Sequence, residues 1–249
     1  MAEITAQGGE AFAHGASVTD DNGVQAMVAE TLSRWGRVDI LVNNAGILRD
    51  KTFSKLTLAE FREVIDVHLM GSVICTKAVW EAMRAQRYGR VVMTTSSSGL
   101  FGNFGQSNYA AAKMALVGLA QTLALEGMKH GIRVNCFAPT AATRMLEGLL
   151  PAEALSALAP AAAAAGLSLL VAEDAPTRMI LCAGAGGFEA AHITLTRGVF
   201  LGSDDDVPDR LPGQLAAIAD RLGETVPDSG AAQITLELGK AGFKGGGLG

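Results

Sequence analysis

Three side chains in the middle of the chain have the types and spacing needed to move a proton and hold a substrate oxygen. Tyr109 and Lys113 lie four residues apart in a strongly helical segment, so both side chains point from one face. An ammonium group beside a phenol favours the phenolate, which predicts a Tyr109 pKa below its ordinary value of about 10. Ser96 could then orient a carbonyl or alcohol oxygen while Tyr109 transfers its proton. A half-buried tyrosine beside a solvated lysine is the structural alternative, because such pairs often occur by chance.

The elements that must position these residues alternate between short apolar strands and amphipathic helices. The predicted strands are 10–16 (a weak candidate), 38–43, 90–95, 132–137 (ended by Pro139) and 180–182. The predicted helices are 19–35, 57–80 (opened by a capping box of Thr57 and Glu60), 108–129 and the alanine-rich stretch 151–166. This alternation predicts an α/β fold with a doubly wound, Rossmann-like parallel sheet. Ser96 follows strand 90–95, and such sheets bind ligands at the carboxyl ends of their strands.

Composition and charge exclude several classes of protein. The 249 residues carry 25 acidic and 20 basic side chains, and the net charge of −5 argues against a nucleic-acid binder. No run of about 20 uncharged apolar residues predicts a membrane span, and no leader peptide is evident. The cysteines, Cys75, Cys136 and Cys182, lack metal-ligand spacing, and the histidines are scattered. We therefore expect a cytoplasmic protein with reduced thiols and no metal site.

The character of the sequence changes after Ser203, where an acidic run and three prolines follow. We expect one domain over 1–202 and an appended helical segment over 203–238. A flexible glycine-rich tail is expected over 239–249. Within the first domain, the alanine-rich stretch is either a substrate-covering lid or a surface helix of good propensity.

Two motifs identify a family resemblance. The series Ser96, twelve residues, Tyr109, three residues, Lys113 resembles the active-site signature of the short-chain dehydrogenase/reductase family. The segment Asn43, Asn44, Ala45, Gly46 is similar to that family's second motif. The resemblance, which covers residues 2 to about 202, implies that Tyr109 is the catalytic acid/base and that Ser96 orients the substrate. It also implies that Lys113 binds the nicotinamide ribose, and that the second motif supports the sheet and lines the adenosine side of the cofactor.

The same resemblance suggests further site residues. The family usually holds a proton-relay water with an asparagine in the helix after the second motif, and His68 stands at that place; a structural role is the alternative. Ser17 stands where many relatives contact adenine through an aspartate. Pro139, Thr140 and Thr143, which follow strand 132–137, are assigned to the cofactor site.

A finer resemblance points to a substrate class. Residues 67–71, 138–141 and 173–176 are similar to the (3R)-hydroxyacyl-CoA dehydrogenase part of peroxisomal multifunctional enzymes of type 2 and to bacterial single-domain counterparts. This resemblance implies oxidation of a 3-hydroxyacyl thioester with reduction of NAD. It also implies a homodimer or homotetramer that assembles through helices 57–85 and 108–129. The alternatives are an NADPH-dependent 3-oxoacyl-carrier-protein reductase and a truncated, non-catalytic remnant acting only through oligomer contacts.

One family motif is missing from the sequence. The glycine-rich turn Gly-x-x-x-Gly-x-Gly, which binds the pyrophosphate, does not occur before strand 38–43, and the glycines of 245–249 follow no strand. We expect a sheet that lacks its first βαβ portion and leaves strand 38–42 with an open apolar edge. An incomplete start is the preferred explanation, and a true truncation is the alternative. NAD is the expected cofactor and NADP is possible, because the residue that chooses between them falls in the missing portion.

Overall fold

The strands form one five-stranded sheet arranged in chain order. The structure is a computed structural model that describes residues 1–141 and 151–243. The strands are β1 Ile40–Asn43, β2 Gly89–Thr94, β3 Ile132–Thr140, β4 Ile180–Gly184 and β5 Gly187–Ala191. The first four are parallel, and β5 returns antiparallel to β4. This arrangement confirms the predicted α/β fold with its mostly parallel sheet.

Helices connect the parallel strands. In the described residues the helices are α1 Ala2–Ala6, α2 Asp21–Trp35, α3 Leu58–Ile65, α4 Gly71–Gln86, α5 Ser97–Phe101, α6 Ser107–Gly127, α7 Ala152–Ala157, α8 Pro160–Val171, α9 Val207–Arg210, α10 Leu215–Ala219 and α11 Ala231–Lys240. A π-helical turn, Asp66–Met70, joins α3 to α4, and 3-10 turns occupy Met128–His130 and Leu211–Gln214. The predicted capping box is confirmed, since the Thr57 hydroxyl accepts from Glu60 N while the Glu60 carboxylate accepts from Thr57 N.

Two hydrophobic clusters cover the two faces of the sheet. On one face, α2, α4 and α6 pack against the strands through residues that include Val28, Met83 and Leu116. On the other face, α8 packs Ala163 and Leu170 against Val92 and its neighbours on β3 and β4. A layer of helices on each face is what a parallel sheet requires, because its strands are apolar on both sides.

The edge strand β1 pairs with β2 alone among the strands that the structure describes. Ile40 and Val42 are correspondingly 45% and 36% exposed, although both are apolar. The predicted strand over 10–16 is wrong: residues 9–17 have no regular structure. An extended segment becomes a strand only where another strand lies beside it, and none lies beside residues 10–16 in the described chain.

Other boundaries also differ from the predictions. Pro139 does not end β3, which continues to Thr140 because β4 pairs with both residues. The pairing of β2 with β3 ends at Thr94 and Phe137, so the missing N–H of Pro139 removes no hydrogen bond to β2. The last strand extends to Gly184 and turns into β5, and the alanine-rich stretch holds two helices, α7 and α8, in place of one.

The chain divides into two compact units, Met1–Ala191 and His192–Gly249. The sheet and all the predicted site residues belong to the first unit. The described part of the second unit holds α9, α10, α11 and a bridge between Leu195 and Thr225. The domain boundary at residue 202 stays a prediction. The tail over 239–249 also stays a prediction, because α11 ends at Lys240 and residues 244–249 lie outside the described part. None of the described helices is long and apolar enough to cross a bilayer.

Candidate active site

Ser96 is held in a fixed place at the carboxyl end of β2. It is the N-cap of α5, where its hydroxyl oxygen accepts a hydrogen bond from Ser98 N at 3.2 Å. The short helix packs closely on α6, because a Cβ at Gly99 would lie 3.0 Å from the backbone carbon of Lys113. Ser96 is therefore positioned by both the strand before it and the long helix behind it.

Tyr109 and Lys113 project from the first turns of α6 toward the same end of β2. The Lys113 ammonium donates a hydrogen bond to Thr94 O at 2.5 Å, and the Thr95 hydroxyl donates to Lys113 O at 2.7 Å. Lys113 is almost fully buried, and its Nζ lies 5.5 Å from the centroid of the Tyr109 ring. Ser96 also acts on the Tyr109 phenol, whose pKa it lowers in part. The structure thus brings Ser96, Tyr109 and Lys113 together.

Burial controls the protonation of this group. Desolvation lowers the pKa of Lys113 from 10.5 to about 8. The Tyr109 pKa is raised above its ordinary value by burial; the Ser96 hydrogen bond lowers it in part, and the Asp50 carboxylate raises it. The expectation that Lys113 would lower the Tyr109 pKa overall is therefore wrong for this structure. The ammonium group is directed to Thr94 O, and burial of the phenol outweighs other effects.

His68 lies beside Tyr109 through an irregularity in the helix. It belongs to the π turn Asp66–Met70, and its ring meets the Tyr109 ring edge-on with centroids 5.2 Å apart. His68 Nε2 lies 2.8 Å from Ile47 O and 3.1 Å from Ile47 N, while Nδ1 is buried with no partner among the described residues. Burial and then the charge of Lys113 lower the His68 pKa to about 4. The imidazole is consequently neutral at neutral pH.

The segment Asn43 to Gly46 divides into a buried start and an exposed end. Asn43 is buried, and its amide donates to Thr76 Oγ1 at 3.0 Å and to Met93 Sδ at 3.3 Å, which ties β1 to α4. Asn44, Ala45 and Gly46 are exposed. A Cβ at Gly46 would collide with the His68 imidazole, so only glycine fits there. The structure thus joins the second motif to His68.

The remaining predicted cofactor residues are spread along the same edge of the sheet or outside it. Pro139 and Thr140 form the carboxyl end of β3, and Thr140 packs against Gly184. Ser17 is exposed, and its hydroxyl lies 2.8 Å from Thr19 Oγ1. Thr143 lies outside the described residues. Within the residues that the structure does describe, no cluster of histidine, cysteine or carboxylate side chains is arranged to hold a metal.

Residues 1–153 match the family model described as short chain dehydrogenase. The chain belongs to the short-chain dehydrogenase family. It is also similar to several curated proteins. The chain is 53% identical to a peroxisomal hydratase-dehydrogenase-epimerase of Saccharomyces cerevisiae over 143 residues, which are 57% of this chain and 16% of that protein. It is 53% identical to peroxisomal multifunctional enzyme type 2 of Drosophila melanogaster over 144 residues, 57% of this chain and 23% of the relative.

A 3-oxoacyl-[acyl-carrier-protein] reductase of Synechocystis is 44% identical over 139 residues, 56% of each chain. In all three curated relatives the matched part is thus less than two thirds of the relative's own length. The solved full-length Drosophila multifunctional enzyme superimposes on 99% of this short-chain dehydrogenase with a TM-score of 0.79 and 34% identity, and 44% of that structure is covered. A short-chain dehydrogenase from Mycobacterium avium gives a TM-score of 0.75 at 32% identity, covering 91% of this chain and 78% of its own.

The sequence motifs did not indicate three polar residues around Tyr109. Asn108 is fully buried; its side-chain oxygen accepts from Tyr109 N at 2.8 Å, and its amide donates to Arg49 O at 3.1 Å. Gln106 donates to the Asp50 carboxylate at 2.6 Å. Asp50 and Gln106 are 56 residues apart in the sequence. The only sequence signal for them was that each is a polar residue close to one of the two family motifs.

The residues present fit the nicotinamide end of a dinucleotide. The Lys113 ammonium retains donors beyond its bond to Thr94 O, and Thr94 Oγ1 and His68 Nδ1 are buried without a partner among the described residues. These groups offer a donor and acceptors for a ribose or a carboxamide. The glycine-rich turn that would bind the pyrophosphate does not occur in the 249 residues. The structural fit is therefore to the reactive end of the cofactor.

Proposed function

We propose that this short-chain dehydrogenase transfers a hydride between NAD and a 3-hydroxyacyl or 3-oxoacyl thioester. The observation that carries the proposal is the convergence of Ser96, Tyr109 and Lys113 at the carboxyl end of β2, with neutral His68 in contact with the Tyr109 ring. This gives one proton donor or acceptor, one hydroxyl for orientation and one buried cation at a single place. Open α/β sheets bind their ligands at this edge.

The residues would divide the reaction as follows. When bound, the nicotinamide supplies the hydride acceptor for oxidation and the hydride donor for reduction. During oxidation, the Tyr109 phenolate takes the proton of the substrate hydroxyl as the carbon–hydrogen bond breaks; in reduction, the neutral phenol returns it. Ser96 donates a hydrogen bond to the reacting oxygen and so orients it. Lys113 would bind the ribose, and His68 would exchange protons with solvent as a relay.

The protonation states favour neutral Tyr109 in the chain without ligands. Burial raises the Tyr109 pKa, so the phenol form dominates at neutral pH and is ready to protonate a ketone. Oxidation needs the phenolate, and its rate should therefore rise with pH. A Lys113 ammonium drawn toward a ribose beside Tyr109 would favour the phenolate in the loaded enzyme.

The thioester substrate and NAD are proposed from the relatives and not from the site. Peroxisomal multifunctional and hydratase-dehydrogenase-epimerase proteins support the 3-hydroxyacyl-CoA assignment through their similarity. The 3-oxoacyl-[acyl-carrier-protein] reductase of Synechocystis supports a second candidate, the NADPH-dependent reduction of a carrier-bound 3-oxoacyl group. The two differ in cofactor and in the group that carries the acyl chain.

The test is steady-state turnover of (3R)-hydroxyacyl-CoA with NAD by the parent chain and two tyrosine variants. Tyr109→Phe removes the proton carrier and should lower kcat by roughly 10²–10⁴-fold. Tyr88→Phe is the matched control, because the protein has two tyrosines and Tyr88 is the other one; its turnover should equal that of the parent. Normal turnover by Tyr109→Phe, or none by the parent, would contradict the proposal. Preference for NADPH and a carrier-protein substrate would select the second candidate.

We also propose a homodimer or homotetramer in the cytoplasm. Exposed apolar side chains on the π turn and α6, including Met70, Met114 and Leu125, support self-association. Light scattering of the purified chain tests the assembly, with a monomer at all concentrations as the contradicting result. Fractionation of the source cells tests the location, for which the peroxisomal names of the relatives provide the competing outcome.

A further inference from the structure

Two loops that border Tyr109 are hydrogen-bonded to each other. Loop 47–51 follows the second motif, and loop 102–106 leads into α6. Hydrogen bonds join the first loop to the second and to the start of α6: Gln106 Nε2 to Asp50 Oδ2 at 2.6 Å, Lys51 N to Gly105 O at 2.9 Å, and Asn108 Nδ2 to Arg49 O at 3.1 Å. Loop 47–51 is therefore bonded to the turn that precedes Tyr109 and to the first turn of α6.

Gln106 is the centre of this connection. Its side-chain oxygen accepts hydrogen bonds from Ser98 Oγ at 2.8 Å and from Asn103 Nδ2 at 3.0 Å, which leaves the amide directed to Asp50. Ser98 in turn donates through its backbone N to the Ser96 hydroxyl. One chain of hydrogen bonds thus runs from the Asp50 carboxylate to the residue that would orient the substrate.

Asp50 differs from the charged residues on either side of it. Arg49 is paired with Glu63 at 2.8 Å and Lys51 with Glu60 at 2.5 Å, so α3 neutralises both cations. Within the part of the chain that the structure describes, no cation forms an ion pair with Asp50. Its hydrogen-bond partner, the Gln106 amide, is neutral. The Asp50 carboxylate is therefore held in one orientation by Gln106. No ion pair among the described residues neutralises its charge.

We propose that Asp50 is a positioning residue whose carboxylate, oriented by Gln106, favours the neutral phenol form of Tyr109. The inference rests on the proposed function in so far as Tyr109 carries the proton. The titratable groups around Tyr109 are His68 and Lys113, which lie at its ring, and Asp50, which is hydrogen-bonded to Gln106 in the turn before Tyr109. His68 is neutral, and Lys113, with a pKa of about 8, loses its charge before a phenol of raised pKa titrates. Asp50, held by Gln106 three residues before Tyr109, is then the charged group that remains.

Asp50→Asn separates the charge from the hydrogen bond. The asparagine side-chain oxygen can still accept from Gln106, so the loops stay connected while the negative charge is lost. Loss of the Asp50 charge makes the electrostatic potential at the phenol less negative, and this favours the phenolate. We therefore expect a lower pH for half-ionisation of Tyr109, by about 0.3–1 pH unit, and an equal displacement of the pH profile of oxidation.

The titration is measured by the ultraviolet absorbance of the phenolate in a Tyr88→Phe background, where Tyr109 is the single tyrosine. Asp50→Asn is compared with that parent and with Glu63→Gln, a carboxylate on α3 that is engaged by Arg49. In Glu63→Gln, Tyr109 should titrate with the same midpoint pH as in the parent. Added salt should reduce the difference between Asp50→Asn and the parent, because the charge acts partly through solvent.

If the midpoint of the Tyr109 titration in folded Asp50→Asn equals that of the parent, the inference is overturned. It is also overturned if the midpoint moves equally in Glu63→Gln. Asp50→Ala provides a second variant: it should shift the midpoint in the same direction, whereas a purely structural link predicts a shift in Asp50→Ala alone. The titration needs neither cofactor nor substrate. Absence of turnover by the parent would therefore defeat the proposed function and leave this measurement to decide the role of Asp50.

Discussion

Arg90 and Lys113 are buried to the same extent at opposite ends of β2, but they differ in how completely they are hydrogen-bonded. Each residue is 3% exposed. The Arg90 guanidinium donates to four backbone carbonyls at 2.6–3.1 Å, those of Gly89, Gly131, Ala172 and Glu173, and it stacks on the Tyr88 ring. The Lys113 ammonium donates to Thr94 O within the described structure. The Arg90 cation at the amino end of β2 is thus fully provided with acceptors, whereas the Lys113 ammonium at the carboxyl end retains donors for other partners.

The difference separates a structural charge from a chemical one. A buried cation with a full set of acceptors stabilises the segments that supply them, here the residues after α8 and the start of the sheet. A buried cation with few acceptors costs the fold free energy and remains available to a ligand. Burial lowers the pKa of both groups, but a guanidinium stays charged, whereas Lys113 with a pKa of about 8 can release its proton.

Lys113→Met should have the largest effect on turnover and little on stability. We expect kcat to fall by roughly 10²–10⁴-fold, because the group that would hold the ribose beside Tyr109 is lost. The free energy of unfolding should change by less than about 1 kcal/mol, since the lost bond to Thr94 O is offset by the removed desolvation of the ammonium. Steady-state kinetics and denaturant unfolding measure the two quantities. Lys129→Met, at an exposed lysine just after α6, is the control and should change neither.

Arg90→Met should show the reverse pattern. It leaves several buried carbonyl groups without their donor, and we expect the free energy of unfolding to fall by about 3 kcal/mol. The kcat of the folded fraction should be retained, because Arg90 lies at the end of β2 opposite to the site. Arg90→Lys keeps the charge but not the planar set of donors, and its stability should be intermediate. Loss of kcat without loss of stability would refute the distinction between the two cations.

The third prediction concerns pH and compares the parent with Lys113→Met. The Lys113 pKa is about 8 in the folded chain and 10.5 in a model peptide, so between these values the unfolded chain binds more protons. The free energy of unfolding of the parent should therefore rise, relative to the variant, as the pH increases from about 8 to about 10.5. We expect a gain of about 2 kcal/mol, measured as the difference between two denaturation series. A difference that is constant over this range would show that Lys113 is not desolvated.

Local patterns in the sequence predicted the order of the helices and strands and the central residues of the site, Ser96, Tyr109 and Lys113. The capping box of Thr57 and Glu60 opens α3 as expected, since a cap depends on residues three positions apart. The spacing of Tyr109 and Lys113 placed both side chains on one side of α6 for the same reason. The predictions of a strand at 10–16 and of an end to β3 at Pro139 were wrong, because a strand exists only through its neighbours.

The sequence by itself determined the family, the mostly parallel sheet and the identity of the residues that could carry a proton, because these follow from residue types at short, fixed spacings. Tertiary structure decided how those residues behave. It raised the Tyr109 pKa where a nearby ammonium predicted the opposite and left Lys113 with few partners. It also joined Asp50 by a hydrogen bond to Gln106, which is 56 residues away in the sequence and three before Tyr109. Burial and the contacts between distant segments set protonation and charge, and neither is encoded in the spacing of a motif.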